Sequence, residues 1–247
     1  RLVVLIIMHV MQPLSIDCHQ TFATQNLTPS FLLFRTLDMN DFMPVRNLGN
    51  EVLNEMAYPD IFWCSQLTGQ TDILALGCFD GATDKLIGVI TVAPDASTFL
   101  PSKQRTGKIK ALFEYFGKCA YITTLFVHPG YRNLGFGRQL IDRAIERLQA
   151  ARSPPSLIFL HTADDNQSAI TFYQSIGFSY YTSLLSFYTN RTVRGLSAGA
   201  HIFAMSIIKN DKIPVNMTDS KEVGDTSSKR SAKQRLTNTF SKLKNKF

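Results

Sequence analysis

Arg132-Asn-Leu-Gly135-Phe-Gly137 is an R-x-x-G-x-G hexapeptide set between an apolar run and an amphipathic one. Glycines let a backbone approach a ligand closely, and the unpaired N–H groups at a helix start point at an anion. Arg132 adds a permanent positive charge. Together these features suit a pyrophosphate. The glycines do not follow the G-x-G-x-x-G order of a dinucleotide loop, and no G-K-[ST] follows as in a P-loop. The thiols are less informative. Cys18, Cys64, Cys78 and Cys119 form no C-x-x-C pair and no His-Cys cluster with metal-ligand spacing. No metal site is expected, and four lone thiols fit a reduced, cytosol-facing protein.

An anion loop of this kind needs a strand to end and a helix to begin beside it. Ala120 to Val127 is apolar on both faces, so it reads as a central strand, stopped by Pro129. Gly135 to Ala151 is the clearest helix, with Leu140, Ile141, Ala144, Ile145 and Leu148 in one stripe. Pro154-Pro155 ends it, and Leu157 to His161 is the next strand. Asp164 or Asp165 is expected to cap a following helix that carries Ala169, Ile170, Tyr173 and Ile176 on one face, with Gly177 as its C-terminal cap. Earlier in the chain, Phe31 to Arg35 reads as a strand. Asp38 or Asn40 opens a helix expected to end near Gly49. Ile73–Cys78 and Leu86–Ala93 form a hairpin about Asp80-Gly81. Pro94 to Lys118 shows no clear period and reads as an insertion. Phe178–Tyr188 and Ala200–Ile208 are the last strands. Strands alternating with helices and closed by a strand pair predict an α/β fold with a mixed sheet.

The 247 residues are 45% hydrophobic and 18% charged, which excludes a wholly disordered chain and supplies a real core. No apolar run reaches the roughly 20 residues of a membrane-spanning helix. The net charge of +7 is local: Lys229 to Phe247 holds seven basic residues and no acid, so the remainder is balanced. That distribution argues against nucleic acid as the partner of the folded body. Three regions are therefore expected: a leader over 1–29, a folded domain over 30–208 and a basic linker and tail over 209–247. Leu2 to Met11 is an apolar run that fits either a signal-peptide core or translated sequence upstream of a start at Met8 or Met11.

Two segments carry a resemblance. Tyr121-Ile-Thr-Thr-Leu-Phe-Val-His-Pro-Gly-Tyr-Arg-Asn-Leu-Gly-Phe-Gly137 is similar to motif A of the GNAT superfamily of N-acetyltransferases. Asn166-Gln-Ser-Ala-Ile-Thr-Phe-Tyr-Gln-Ser-Ile-Gly-Phe178 is similar to motif B. The resemblance covers roughly Phe31 to Ile208. It implies the GNAT fold: a mixed, mostly antiparallel sheet with a central splayed pair of parallel strands, flanked by helices. It also implies acetyl-CoA as cosubstrate. Phe126, Val127, Arg132, Asn133, Leu134, Gly135, Phe136 and Gly137 would hold its acetyl and pyrophosphate ends, and Asn166 and Tyr173 would line the pantetheine arm. Ala120-Tyr121-Ile122, Leu160-His161, Ser186-Phe187-Tyr188, Val193-Arg194-Gly195 and Ala57-Tyr58-Pro59-Asp60 resemble the NatF type of N-terminal protein acetyltransferase within it. The peptide-gripping segment of that type, F-P-[IV]-x-Y-P, falls on Asn54 to Pro59 and lacks the Phe and the first Pro, although Leu53 is adjacent.

On this resemblance Tyr121 and His161 are the catalytic pair, and Tyr58, Phe187 and Tyr188 wall the substrate. An α-amine is mostly protonated near neutral pH and must lose a proton before attacking a thioester. A His with an ordinary pKa near 6.5 can receive it, directly or through water, and a Tyr can pass it on. A backbone N–H near Phe126 or Val127 would stabilise the oxyanion. The implied activity is acetyl transfer to the free α-amine of Met-starting protein N-termini, without an auxiliary subunit. A lysine or small-amine acetyltransferase and a non-catalytic acetyl-CoA-binding module stand beside it as alternatives. In the tail, Leu236, Phe240, Leu243 and Phe247 fall on one face of a helix among basic residues, a pattern suited to an anionic membrane surface. The expected location is the cytoplasm, including the cytosolic face of the Golgi or another organelle. A solvated tail and a nuclear-import or nucleic-acid patch at Lys229–Arg235 are the other readings of that stretch.

Overall fold

The computed structural model describes residues 31–53, 58–69, 71–100, 107–185, 187–188 and 199–208. The leader, the Asn54–Ala57 stretch, the Val193-Arg194-Gly195 turn and the basic tail lie outside them. All described residues fall in one compact unit that ends at Ile213; a second unit, Pro214–Phe247, lies wholly outside the described residues.

Seven strands make one sheet: β1 (Leu32–Thr36), β2 (Leu74–Asp80), β3 (Lys85–Ala93), β4 (Cys119–Val127), β5 (Leu157–Ala163), β6 (Ser179–Leu184) and β7 (Ala200–Ser206), in the order β1-β2-β3-β4-β5-β7-β6. Every neighbouring pair is antiparallel except β4–β5. Those two strands pair only at Cys119–Leu157, Ala120–Ile158 and Tyr121–Phe159. Beyond that point β4 continues to Val127 and β5 to Ala163 unpaired with each other, so the sheet opens in a V at its centre. This is the expected mixed sheet with a splayed parallel pair. β4 is buried along almost its whole length, as its continuous apolar run predicts.

Helices α1 (Phe42–Leu53), α2 (Asp60–Leu67), α3 (Ala96–Phe99) and α4 (Gly107–Phe116) cover one face, and α5 (Phe136–Gln149) and α6 (Gln167–Ser175) cover the other. The α5 stripe buries Leu140, Ile141, Ala144 and Leu148 against the sheet. Four details differ from the expectation. α1 runs through Gly49 to Leu53, because Gly49 is a contact and not a stop: a Cβ there would lie 2.7 Å from the Trp63 ring. Asp38 does act as a cap, but of a short 3-10 turn, Met39–Asp41, that leads into α1. The insertion contains α3 and α4, whose Leu100, Ile109, Leu112 and Phe116 are buried. And α6 is capped by Asn166, whose Oδ1 accepts from the Ala169 N–H at 3.1 Å, rather than by Asp164 or Asp165. β5 extends two residues past His161, which moves the helix start along with it. Gly177 ends α6 in the left-handed region at φ +103, as expected.

Candidate active site

At the apex of the V, Tyr121 on β4 and His161 on β5 project from one face of the sheet. Tyr121 is level with Phe159, and His161 follows two residues on, which the strand repeat of two puts on the same side. The His161 Nδ1 lies 3.1 Å from the Tyr121 hydroxyl. An aromatic shell holds both rings. Phe187 stacks flat on His161 at 4.1 Å, Phe159 lies 5.0 Å from Tyr121 and Phe99 5.9 Å from it, with Tyr188 edge-on to Phe187. Phe99 and Phe159 were not singled out from the sequence. Phe159 stands two residues before His161 and so on its face; Phe99 comes from the aperiodic insertion and carried no signal.

Burial sets the charge states. His161 is 6% exposed and desolvation pushes its pKa down to about 3, so the ring is neutral at any ordinary pH. This differs from the expected pKa near 6.5, which assumed a solvated imidazole. Burial also raises the Tyr121 phenol well above its usual value, and the nearby Tyr188, Tyr58 and Tyr173 hydroxyls raise it further. Two neutral groups therefore share one hydrogen bond. The His161 Nε2 is buried with no hydrogen-bond partner among the described residues.

On the far side of the V a cleft of about 340 Å³ opens at the start of α5. Of the residues singled out for the donor, Phe126, Val127, Arg132, Asn133, Gly135, Phe136, Gly137 and Tyr173 line it. Ser168, Ala169, Phe172 and Ile176 add a wall from α6, legible in retrospect as one helical stripe through motif B. Gly135 sits at φ +81 immediately before α5 and Asn133 at φ +62, so the loop winds through the left-handed region and leaves the first amides of α5 facing outward. Arg132 donates from Nε to the Val127 carbonyl at 3.2 Å, which ties the guanidinium to the end of β4, and burial lowers its pKa. His128 caps the preceding turn by accepting the Gly130 N–H at its Nδ1, 3.1 Å away.

Three candidates fall elsewhere. Leu134 is exposed and does not line the cleft. Asn166 caps α6 with Oδ1, stands outside the cleft wall, and leaves its buried Nδ2 without a partner among the described residues. Tyr58 is packed in the core, stacked on Phe62 at 4.0 Å and edge-on to Trp63. It is still near enough to Tyr121 to act on its phenol. Among the described residues no group of His, Cys, Asp or Glu could hold a metal ion. No helix there is long and apolar enough to cross a membrane.

Residues 40–178 match the model of the acetyltransferase (GNAT) family. N-alpha-acetyltransferase 60 of Drosophila melanogaster is 39% identical over 72 residues, which is 29% of this chain and about a quarter (26%) of that protein. Among solved structures, Arabidopsis thaliana NAA60 in complex with a bisubstrate analogue superposes with a TM-score of 0.57 at 22% identity, over 71% of this chain and 98% of that one. The NatC complex bound to Gag peptide and CoA contains a chain with a TM-score of 0.53 at 22% identity, covering 71% and 98%. At such identities the superpositions speak to the fold.

Proposed function

The chain belongs to the acetyltransferase (GNAT) family, and from that premise we propose that it acetylates the free α-amine of protein N-termini, in the manner of the NatF type, with acetyl-CoA as donor. The observation that carries this reading is the Tyr121–His161 contact at the point where β4 and β5 part, inside a closed aromatic shell. Such a site suits a slender, single-ended substrate better than a side chain presented from a broad surface.

The residues fit the donor. The left-handed loop through Asn133 and Gly135 and the open amides of α5 suit its pyrophosphate, with Arg132 adding charge. When bound, the donor supplies a thioester activated for acyl transfer. The protein must take a proton from the substrate ammonium and orient the amine. Neutral His161 keeps a lone pair for that proton, but with a pKa near 3 it hands the proton on to solvent water rather than storing it. Tyr121 keeps its own proton and serves as hydrogen-bond donor and relay.

Met-first specificity is part of the proposal and rests on the sequence resemblance, since most of the Asn54–Pro59 segment lies outside the described residues. Attachment of residues 229–247 to an anionic membrane, a cytosolic location and action without an auxiliary subunit are proposals of the same standing. The test is turnover of the full chain with acetyl-CoA and peptides beginning Met-Leu, Met-Lys and Ser-Glu, beside an N-blocked lysine peptide. Turnover confined to free Met-starting peptides, lost in Tyr121→Phe and His161→Ala, supports the reading. Turnover of the blocked lysine peptide alone, or tight donor binding with no turnover of any peptide, overturns it.

A further inference from the structure

The register between β3 and β4 breaks once. Thr91 stands opposite Thr124 and Val92 opposite Ile122, so Thr123 is an extra residue on β4. This is a bulge, and it resets which way the side chains point. In an unbroken strand, residues 121, 125 and 127 share a face. Here Tyr121 packs on the α3–α4 side with Phe159, whereas Leu125 and Val127 pack on the α5 side. One strand therefore presents Tyr121 to His161 on one face and Leu125 and Val127 to the α5 side on the other, whereas without the bulge the three would share a face.

A buried polar chain sits at that bulge. The Thr123 hydroxyl donates to Gln66 Oε1 at 3.0 Å and also lies 3.1 Å from the Thr91 carbonyl. The Thr91 hydroxyl is in turn 2.6 Å from that of Thr124 and in hydrogen-bond contact with that of Thr123. On α2, Gln66 Nε2 donates to the Ser65 hydroxyl at 3.2 Å, and Ser65 donates to the Phe62 carbonyl at 2.6 Å. Ser65 thus fixes the amide with its oxygen toward Thr123. A carbonyl oxygen only accepts, so the protons run one way, from Thr124 to Thr91 to Thr123 to Gln66. Gln66, Thr91, Thr123 and Thr124 are all buried. A register slip of one residue would break these bonds and turn Tyr121 to the wrong face.

We propose that Gln66 and Thr123 are positioning residues for acetyl transfer: they clamp α2 to β4 in the bulged register that sets Tyr121 against His161. The inference rests on the acetyltransferase reading. It does not follow from it, because the clamp touches neither the cleft nor His161.

Thr123→Val in the full chain keeps the side-chain shape and removes the hydroxyl. Gln66→Met removes the acceptor from the other end, in case the first variant folds poorly. The expected result is a kcat lower by roughly ten- to hundredfold, the usual consequence of a misplacement on the order of 1 Å. The KM for acetyl-CoA should stay near the wild-type value, and Thr123→Ser should restore kcat. A lower melting temperature with unchanged kcat in both variants would make the chain a stabilising network only and overturn the proposal. The imidazole ¹⁵N shift of His161 reads the Tyr121 contact without any substrate. If the wild type turns nothing over, the function reading fails by itself. A shift that changes in Thr123→Val then still supports the clamp, and one that does not change refutes it.

Discussion

Lowering the pH from 7 to 5 should remove about 2 kcal/mol of folding free energy through His161 alone. Burial lowers its pKa from 6.5 to about 3, whereas in the unfolded chain the ring titrates near 6.5. Above that value both states are neutral and the group contributes nothing to the pH dependence. As the pH falls below it, the unfolded state takes a proton that the folded state refuses until about pH 3. Stability is therefore complete above the unfolded pKa and declines on the acid side, by about 1.4 kcal/mol per pH unit. Urea unfolding of the full chain at pH 5, 6 and 7, without acetyl-CoA, measures this against His161→Gln, which stays neutral and retains hydrogen-bonding groups for Tyr121. His128 is also lowered by burial, against a raising effect from Glu51, but it is present in both proteins and cancels in the difference. The wild type should lose about 2 kcal/mol more than the variant between pH 7 and 5. Parallel losses would mean that the folded ring is solvated or charged, and the account of a neutral relay would fall with it.

Arg132→Gln should weaken acetyl-CoA binding by roughly ten- to hundredfold, the loss expected for a charge-assisted contact, while leaving the peptide KM in place. Titration calorimetry showing an unchanged dissociation constant would remove Arg132 from the phosphate site. Gly49→Val would push a side chain into Trp63, whose ring lies 2.7 Å from the position of a Cβ and which is fully buried. Overpacking of this kind costs about 1–3 kcal/mol, read as a lower urea midpoint; an unchanged midpoint would show that α1 and α2 can slide apart.

Where one local signal dominates, the structure follows the sequence closely. The α5 stripe and the Gly177 cap fall where periodicity and turn chemistry put them, and the β2–β3 hairpin forms as expected but turns over 81–84, after Asp80 has paired with Lys85. The departures arise where one residue type serves two purposes. Gly49 reads as a helix stop, but its lack of a side chain is used for contact with Trp63 inside α1. Asp164, Asp165 and Asn166 are three consecutive residues able to cap, and only the length of β5 selects the third. α4 buries Ile109, Leu112 and Phe116, a helical spacing that the surrounding mixed charge obscured.

The site shows the same division more sharply. Arg132 to Gly137 is contiguous, and its chemistry can be read from one loop. Tyr121 and His161 are 40 residues apart. Only the resemblance joined them, because neither residue type implies the other. What brings them together is the brief pairing of β4 with β5 and the one extra residue at Thr123. In a strand buried on both faces there is no polar–apolar alternation for a bulge to interrupt, so Tyr121 to Val127 reads as an ordinary central strand whether or not it contains one. The signal that was present is three threonines, Thr91, Thr123 and Thr124, in strands that otherwise bury apolar side chains. Hydroxyls so placed must find partners in the core. In this sheet they find one another where the β3–β4 ladder gives up a partner, and that position fixes the face on which Tyr121 meets His161.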